Sequence, residues 1–335
     1  MQIGGLEVEN FQVKGEPSVK QIDAGLVKTR SNGYDIIIAV GGGSAIDAGK
    51  AIAALAPNEG ETLDYLEVVG RGHKPSLAPL PFLALPTTAG TGAEVTKNAV
   101  ITSIKHRTKV SLRSDAMLPR AAIVDPQLTI SNPPDLTAST GMDALTQLLE
   151  PFVTNFANPL TDALCRKGLE RCSSSLRKAY FSGDDIEARE GMSLASLFGG
   201  LALANAKLGA VHGLAGPLGG RTEAPHGAIC AALVSHVSRA NLEALITQEK
   251  DHPSIARYHE AAQILTRSAN ATASDGIAWL TDLASDLNIP PLSTYGLTSH
   301  DIPEIVEQST DSSSMKGNPI DLPRDTLINI LEAAL

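Results

Sequence analysis

Short apolar runs alternate with glycine-rich turns and helical segments through the first third of the chain. An apolar, β-branched run at 35–40 is followed by three glycines at 41–43 and then by an alanine-rich helical stretch. Two more apolar runs occur at 81–85 and 121–124. Strands and helices in this order predict a parallel α/β domain. The run at 35–40 is typical of a strand that is covered on both faces.

The pattern changes near the proline pair at 133–134. Beyond it the sequence predicts amphipathic or buried helices, with few β-branched runs. The predicted helices cover 141–152, 158–180, 186–206, 227–246, 253–268, 273–287 and 323–334. Glycine and proline break points lie between them, with a cluster at 216–220. The chain has 335 residues, enough for two cores, so we expect an α/β domain over 1–132 and an all-helical domain over 133–335.

The charge balance of the chain is acidic. Lysine and arginine total 27 against 37 aspartates and glutamates, which gives a formal net charge of −10. Binding to the nucleic-acid backbone needs a positive surface, so we expect no nucleic-acid partner.

The uncharged helical stretch at 191–206 is shorter than the roughly 20 apolar residues of a membrane span. We interpret it as a buried helix and expect no membrane partner.

The cysteine content favours a reducing compartment. Cys165, Cys172 and Cys230 are too few and too scattered for a disulfide framework or for a cysteine zinc site. The first residues contain no apolar segment of the kind found in a signal peptide. We therefore expect buried, reduced thiols and a cytoplasmic location.

A glycine-rich turn at 41–47 joins the first predicted strand to its helix. Gly42 and Gly43 let the backbone approach a ligand closely, and the helix N-terminus offers free N–H groups to a phosphate. Ser44 is positioned to cap the helix, and Asp47 lies in its first turn. The alternative is a tight, well-capped turn without a ligand, because the spacing departs from G-x-G-x-x-G.

A second polar loop follows the apolar run at 81–85 and contains Thr87, Thr88 and Thr91. Ligands of open α/β sheets bind beyond the carboxyl ends of the strands, where threonine hydroxyls suit a diphosphate or a ribose. The alternative is a plain polar connection, since loops are commonly rich in threonine and glycine. Two such loops at one sheet edge favour a bound nucleotide.

The helical half contains one carboxylate and two imidazoles that form a possible ligand set. Asp143 and Gln147 are four residues apart and share one helix face. His212 and His226 are separated by glycines and a proline, which exclude a shared helix. Such an aspartate is most often a cap or part of an ion pair, and a lone histidine is most often a satisfied core residue. One carboxylate with two imidazoles is also a common set for Zn²⁺ or Fe²⁺.

Five motifs in this chain resemble those of a known enzyme family. They are GGGSAID (41–47), PTTAGTGAEVT (86–96), IVDP (123–126), TGMDAL (140–145), and VHGLA (211–215) with PHG (225–227). In their order and spacing they are similar to the iron-containing (group III) alcohol dehydrogenases of the dehydroquinate-synthase-like superfamily. The resemblance implies an α/β dinucleotide-binding domain, an all-helical metal- and substrate-binding domain, and an active site in the cleft between them.

The resemblance also implies roles for the matching residues. The dinucleotide contacts are Gly42, Gly43, Ser44, Asp47, Thr87, Thr88, Thr91 and Lys109, the last near the cofactor ribose. Three of the four metal ligands of the family are Asp143, His212 and His226, of which Asp143 and His212 are the catalytic candidates. The implied cofactors are NAD or NADP and a divalent metal, Fe²⁺ or Zn²⁺. Relatives are commonly dimers or larger, so we expect a homo-oligomer.

Three departures from the family pattern bear on activity. The fourth ligand position holds Gln147, which we keep as a candidate ligand although an amide binds Fe²⁺ or Zn²⁺ poorly beside imidazole. Three ligands suffice in the glycerol dehydrogenase branch that this set resembles. Gly216 stands where relatives have a histidine near the substrate. The family's first strand and helix, which help to select NAD or NADP, precede the point where this sequence begins, so the choice of cofactor stays open.

The expected activity is metal-assisted hydride transfer between a nicotinamide cofactor and a small alcohol or its aldehyde or ketone. Gln147 and Gly216 favour one alternative, a metal-independent oxo-acid reductase similar to the maleylacetate reductases. The absent first strand and the two missing histidines together motivate a second alternative, a catalytically weakened, truncated relative.

Overall fold

The computed structural model describes residues 2–3, 5–67, 69–106 and 108–335. The strands of the described residues all lie in the N-terminal part, with three helices. These elements are β1 (Gln2–Ile3), β2 (Leu6–Glu7), α1 (Val19–Asn32), β3 (Ile37–Gly41), α2 (Gly43–Leu55), α3 (Thr62–Tyr65), β4 (Phe82–Pro86), β5 (Asn98–Ser103), β6 (Thr108–Arg113) and β7 (Ala121–Ala122).

Three strands form the parallel sheet that the sequence predicts. β4 lies between β3 and β7, and Gly41 at the end of β3 pairs with Pro86 at the end of β4. β5 and β6 form a separate antiparallel hairpin. The backbone N–H of Thr87 donates to the carbonyl of Gly41 at 2.9 Å. The glycine loop (residues 41–44) and the threonine loop (residues 87–92) therefore leave the sheet side by side.

One face of β3 is uncovered, which corrects the expectation of a strand buried on both faces. Ala39 is 7 % exposed and packs with α2, whereas Ile38 and Val40 are 56 % and 59 % exposed. Successive side chains of a strand point to opposite faces, and α2 covers only the face of Ala39. The β-branched composition of this run thus reflects strand propensity together with a single buried face.

The C-terminal part consists of helices, as predicted. They are α4 (Pro134–Val153), α5 (Pro159–Phe181), α6 (Ile186–Asn205), α7 (Ala210–Arg221), α8 (His226–Gln248), α9 (Pro253–Thr266), α10 (Ala273–Asp286), α11 (Ile302–Ser309) and α12 (Arg324–Ala333). Each predicted helix has a counterpart here, and the sequence prediction missed α7 and α11. The predicted fold class, an α/β domain followed by an all-helical domain, is confirmed.

Helix α7 runs through the glycine and proline cluster at 216–220, where the sequence predicts a break. Pro217 lies inside the helix, although an interior proline costs about 3 kcal/mol. Ala210, Leu214 and Leu218 repeat every four residues and are fully buried in the helical core. Tertiary packing of this face outweighs the poor intrinsic propensity of the segment.

Two helices of the core are strongly apolar. α6 contains the stretch at 191–206 that the sequence predicts as a buried helix, and it is largely buried. Among the described helices, α8 is the one that by itself has the length and composition of a membrane span. Helices α6 and α7 also meet these criteria if they are counted as one span, although they are bent by 99°. In α8 that apolar surface faces the interior of the helical domain, where Leu233, Val234 and Val237 are at most 2 % exposed.

Candidate metal centre and cofactor loops

Asp143 lies in the middle of α4 with its carboxylate buried. The residue is 2 % exposed, and its Oδ1 has no hydrogen-bond partner among the described residues. Burying a polar atom without a partner costs about 1–3 kcal/mol. An oxygen in this state indicates a place for a cation or a donor from outside the chain.

His212 approaches Asp143 from the first turn of α7. Its Nε2 lies 3.4 Å from Asp143 Oδ1. On the other side of the ring, Nδ1 lies 2.6 Å from the carboxylate of Glu150, which orients Nε2 toward Asp143. The same carboxylate accepts a hydrogen bond from the backbone N–H of Val211 at 2.7 Å. Glu150 therefore orients the imidazole and places a negative charge at the N-terminus of α7.

His226 begins α8, and Cys230 follows one turn later on the same helix face. His226 Nε2 lies 3.8 Å from Asp143 Oδ1, and Cys230 Sγ lies 3.8 Å from Nε2 of each histidine. Gly227 permits this close approach of α8 to α4, because a Cβ there would lie 2.2 Å from the carbonyl oxygen of Ser139.

Four side chains thus converge, and we call Asp143, His212, His226 and Cys230 the ligand cluster. Their ligand atoms all lie within 4.8 Å of one another. Ligand atoms around one tetrahedral Zn²⁺ lie about 3.3–3.8 Å apart. The side chain of His226 is 35 % exposed, whereas those of His212 and Asp143 are 6 % and 3 % exposed. The cluster is therefore compact enough for one ion and open to solvent beside His226.

Charges in the ligand cluster outweigh burial in setting its pKa values. Burial alone would lower the pKa of His226, but Cys230 and Asp143 raise it to about 9. Burial also opposes the shift at His212, whose pKa Cys230 and Glu150 raise well above its ordinary value. Burial alone would raise the pKa of Asp143, but the two histidines hold it below its ordinary range. The raised histidine pKa values and the lowered aspartate pKa show that the negatively charged groups of the cluster attract positive charge. A bound metal ion supplies this charge in place of the protons on the imidazoles.

The glycine and threonine loops pack against each other. A Cβ at Gly43 would lie 2.9 Å from Thr91 Oγ1, and one at Gly42 would lie 3.2 Å from Thr88 Oγ1. α2 begins at Gly43 with Gly42 as its N-cap and without a capping side chain. Ser44 is the second helical residue and does not cap the helix, which corrects the sequence expectation. The first-turn N–H groups of α2 thus have the arrangement of an anion site.

Asp47 and Lys109, both implied as cofactor contacts, are held by protein groups. Asp47 Oδ2 accepts a hydrogen bond from the N–H of Val100 at 2.9 Å, and its Oδ1 lies 3.2 Å from Lys50 Nζ. Burial raises the pKa of Asp47 despite the neighbouring lysine. Lys109 Nζ lies 2.6 Å from Glu16 Oε2, and β6, which carries it, packs against α7. Asp47 therefore connects α2 to β5, and Lys109 lies where the α/β domain meets the helical domain.

α4 connects the ligand cluster to the threonine loop. Gln147 lies one turn beyond Asp143 and donates from Nε2 to the carbonyl of Thr91 at 2.6 Å. The N–H of Gly92 donates to Ser196 Oγ of α6 at 3.2 Å. The threonine loop is thereby fixed to the helical domain. The structure shows Gln147 binding this loop, and its role as a metal ligand stays a prediction.

The sequence predictions missed Glu150 and Cys230. Glu150 lies two helical turns beyond Asp143 on α4, and Cys230 lies one turn beyond His226 on α8. Helical spacing from the candidate ligands was a signal that could have identified both. The spacing of the three cysteines excludes a cysteine-only zinc site, whereas a mixed ligand set needs only one thiol.

The fold and the ligand cluster define a class of metal-dependent oxidoreductases in which a nucleotide-binding domain adjoins a helical metal-binding domain. Residues 2–126 match the family model described as iron-containing alcohol dehydrogenase, and residues 137–335 match the C-terminal model of the Fe-containing alcohol dehydrogenase family. The chain belongs to the iron-containing alcohol dehydrogenase family, which confirms the resemblance seen in its motifs.

Individual relatives agree with this assignment. The 1,3-propanediol dehydrogenase of Klebsiella pneumoniae is 38 % identical over 318 residues, covering 94 % of this chain and 80 % of the relative. A solved 1,3-propanediol oxidoreductase superposes with a TM-score of 0.88 at 34 % identity, over 96 % of this chain and 83 % of that one. The sulfoacetaldehyde reductase of Bifidobacterium kashiwanohense, in complex with NAD⁺, has a TM-score of 0.83 at 31 % identity, over 96 % and 81 %.

The predicted activity and cofactors are therefore confirmed at the level of the family. The chain is an NAD(P)-dependent oxidoreductase that interconverts alcohols with aldehydes or ketones, and its family uses a divalent metal ion.

Proposed function

We propose that this enzyme acts on a small alcohol or aldehyde at the ligand cluster, with Asp143, His212 and His226 holding the metal ion. The observation that carries the proposal is the buried, unpartnered Oδ1 of Asp143, faced by two imidazole nitrogens at 3.4 and 3.8 Å. A cation satisfies this oxygen and both nitrogens at once. A carboxylate with two imidazoles suits Zn²⁺ or Fe²⁺, so the residues present fit the metal that the family uses.

The residues around the cluster prepare it for alcohol chemistry. A divalent ion held there supplies Lewis-acid polarisation of a substrate oxygen. Glu150 holds the proton of His212 on Nδ1, so that Nε2 presents its lone pair to the cluster. The exposed side of His226 provides the opening through which a small substrate reaches the cluster.

We assign the dinucleotide to the sheet edge where the glycine and threonine loops meet. Its proposed contacts are Gly42, Gly43, Ser44, Thr87, Thr88 and Thr91. Asp47 holds α2 in place through its hydrogen bond from Val100 of β5. The first-turn N–H groups of α2 suit the pyrophosphate, and the position of Lys109 between β6 and α7 supports a contact with the ribose. The hydrogen bond from Gln147 to Thr91 ties the loop to the helix that carries Asp143. The cofactor and the substrate are thus held in a fixed position relative to each other, as hydride transfer requires.

A metal-independent oxo-acid reductase is the alternative function. Gln147 and Gly216, which replace two histidines of the family pattern, favour it. Without a metal ion, the buried Asp143 Oδ1 has only ion-pair contacts with the imidazoles of His212 and His226, at 3.4 and 3.8 Å, and no hydrogen bond, which costs up to about 1–3 kcal/mol. That cost supports the metal-dependent reaction.

Metal analysis of the purified protein decides between the two functions. We expect one equivalent of divalent metal, and NADH or NADPH oxidation with a short aldehyde that chelation abolishes and metal restores. His212→Ala should lose the metal and roughly 100-fold or more in activity, since even groups that only orient a ligand contribute 10–100-fold. The control His236→Ala changes a histidine of α8 outside the cluster and should retain both. A metal-free enzyme that reduces an oxo-acid at full rate would establish the alternative.

A cytoplasmic location and a homo-oligomeric state complete the proposal. All three cysteines are free and buried, which suits a reducing compartment. Among the described residues β3 pairs only with β4, so its other backbone edge is open, and its exposed Ile38 and Val40 form an apolar patch on one face; both features favour association of copies. Cell fractionation tests the location, and light scattering after size exclusion tests the oligomer. A monomer at micromolar concentration would contradict it.

A further inference from the structure

Cys230 contributes a thiol to the ligand cluster that the metal-binding motif of the sequence does not include. Its Sγ lies 3.8 Å from Nε2 of His212 and 3.8 Å from Nε2 of His226. We propose that the Cys230 thiolate is a fourth protein ligand of the metal ion, beside Asp143 and the two histidines. This inference rests on the proposed metal site and concerns its composition.

The backbone of α8 holds the thiol at the required place. Cys230 is 0 % exposed and lies one turn after His226, so both side chains project from one face of the helix toward α4. With Zn–S near 2.3 Å and Zn–N near 2.0 Å, sulfur and nitrogen ligands of a tetrahedral ion lie about 3.5 Å apart. The observed separations of 3.8 Å to both imidazoles match this value within a few tenths of an ångström.

A second observation points to a ligand at the same place. Asp143 Oδ1 is buried, faces the cluster and has no hydrogen-bond partner among the described residues, although the thiol lies within 4.8 Å. A thiol is a weak hydrogen-bond donor, and it satisfies the carboxylate oxygen less well than a cation does. A cation between them satisfies the oxygen and the sulfur together, and the thiol proton passes to solvent when the ion binds.

The thiolate also replaces the metal ligand that the family pattern has at position 147, where this chain has a glutamine. That residue occupies the position of the fourth metal ligand in the family pattern, but its amide nitrogen binds the carbonyl of Thr91. Cys230 supplies the fourth donor from α8 instead. A set with one thiolate and two imidazoles is softer than one with three imidazoles and binds Zn²⁺ in preference to Fe²⁺. We therefore expect zinc to be the ion retained when both are supplied in equal amounts.

Cobalt(II) substitution tests the ligand directly, without an activity assay. Metal-free protein is titrated with Co²⁺, the bound ion is counted after desalting, and the near-ultraviolet spectrum is recorded. Thiolate coordination produces an intense sulfur-to-cobalt charge-transfer band that nitrogen and oxygen ligands do not give. We expect one bound Co²⁺ with this band, and Cys230→Ser should abolish the band and weaken Zn²⁺ binding by roughly tenfold or more.

The other two cysteines provide the matched control. Cys165 and Cys172 are buried on α5, outside the ligand cluster. The double variant Cys165→Ser/Cys172→Ser leaves Cys230 as the single thiol and should keep the band, which makes the test independent of whether Cys230→Ser folds. One bound Co²⁺ without the band, or a band lost in the double variant, overturns the thiolate ligand and leaves the proposed metal site intact. Absence of any bound Co²⁺ overturns both.

Discussion

The carboxylate of Glu150 determines which nitrogen of His212 carries the proton. One of its oxygens accepts the N–H of Val211 at 2.7 Å, the other lies 2.6 Å from Nδ1 of His212, and the side chain is 7 % exposed. Glu150→Gln preserves the size of the side chain but leaves one acceptor oxygen for two N–H donors. If that oxygen stays with Val211, the new amide N–H₂ faces Nδ1. The imidazole then accepts at Nδ1 and carries its proton on Nε2, the atom that points into the ligand cluster.

The expected loss follows from these two hydrogen bonds. A hydrogen bond to a charged group contributes about 1.5–3 kcal/mol and a neutral one about 0.5–1.5 kcal/mol, so losing the charge costs about 1–1.5 kcal/mol per bond. The bond to His212 affects metal binding, where about 1.4 kcal/mol corresponds to tenfold. Together with the tautomer change we expect Zn²⁺ affinity to fall about 10- to 100-fold.

A competition titration with a chromophoric chelator near neutral pH measures this change. Urea unfolding of the metal-free variant should show a free energy of unfolding lower by about 1–3 kcal/mol. Glu260→Gln is the control, because it removes a carboxylate that pairs with Arg166 at the surface, and it should leave the metal affinity unchanged. If Glu150→Gln binds Zn²⁺ as tightly as the wild type, the carboxylate does not set the tautomer and the reasoning is refuted.

Three further predictions concern the cofactor loops and the buried thiols. Gly43→Val forces a side chain against Thr91 Oγ1 at a cost of about 1–3 kcal/mol, so the KM for the nicotinamide cofactor should rise roughly tenfold or more while the metal content stays constant. Gln147→Leu removes the hydrogen bond to Thr91 and should raise the same KM up to about tenfold. Loss of metal in that variant would identify Gln147 as a ligand. Because burial raises the pKa of Cys165 and of Cys172 to about 12, neither thiol should react with a disulfide reagent near pH 8 until the protein unfolds. Rapid labelling of the native protein would contradict their burial.

Local and linear features of the amino-acid sequence specify much of this protein. The apolar runs before each loop predict the parallel strands, and those strands place the glycine and threonine loops at one edge of the sheet. Helical periodicity after residue 133 predicts the second domain. The candidate ligands Asp143, His212 and His226 were identified from motif order. The predictions of strands, turns and helices succeed because strand propensity, turn chemistry and helix periodicity depend on neighbours in the chain, whereas the ligand roles of the three residues stay predictions.

The tertiary structure alone decides which distant residues meet. Glu150 and Cys230 carry no motif, and they reach the cluster because α4, α7 and α8 pack with His212 and His226 facing Asp143. The same packing keeps α7 helical across its glycines and Pro217. The placement of α2 on one side of the sheet leaves the other face of β3 exposed. Each of these outcomes depends on the summed contacts of residues far apart in the chain, which outweigh local preference and cannot be read from any single segment.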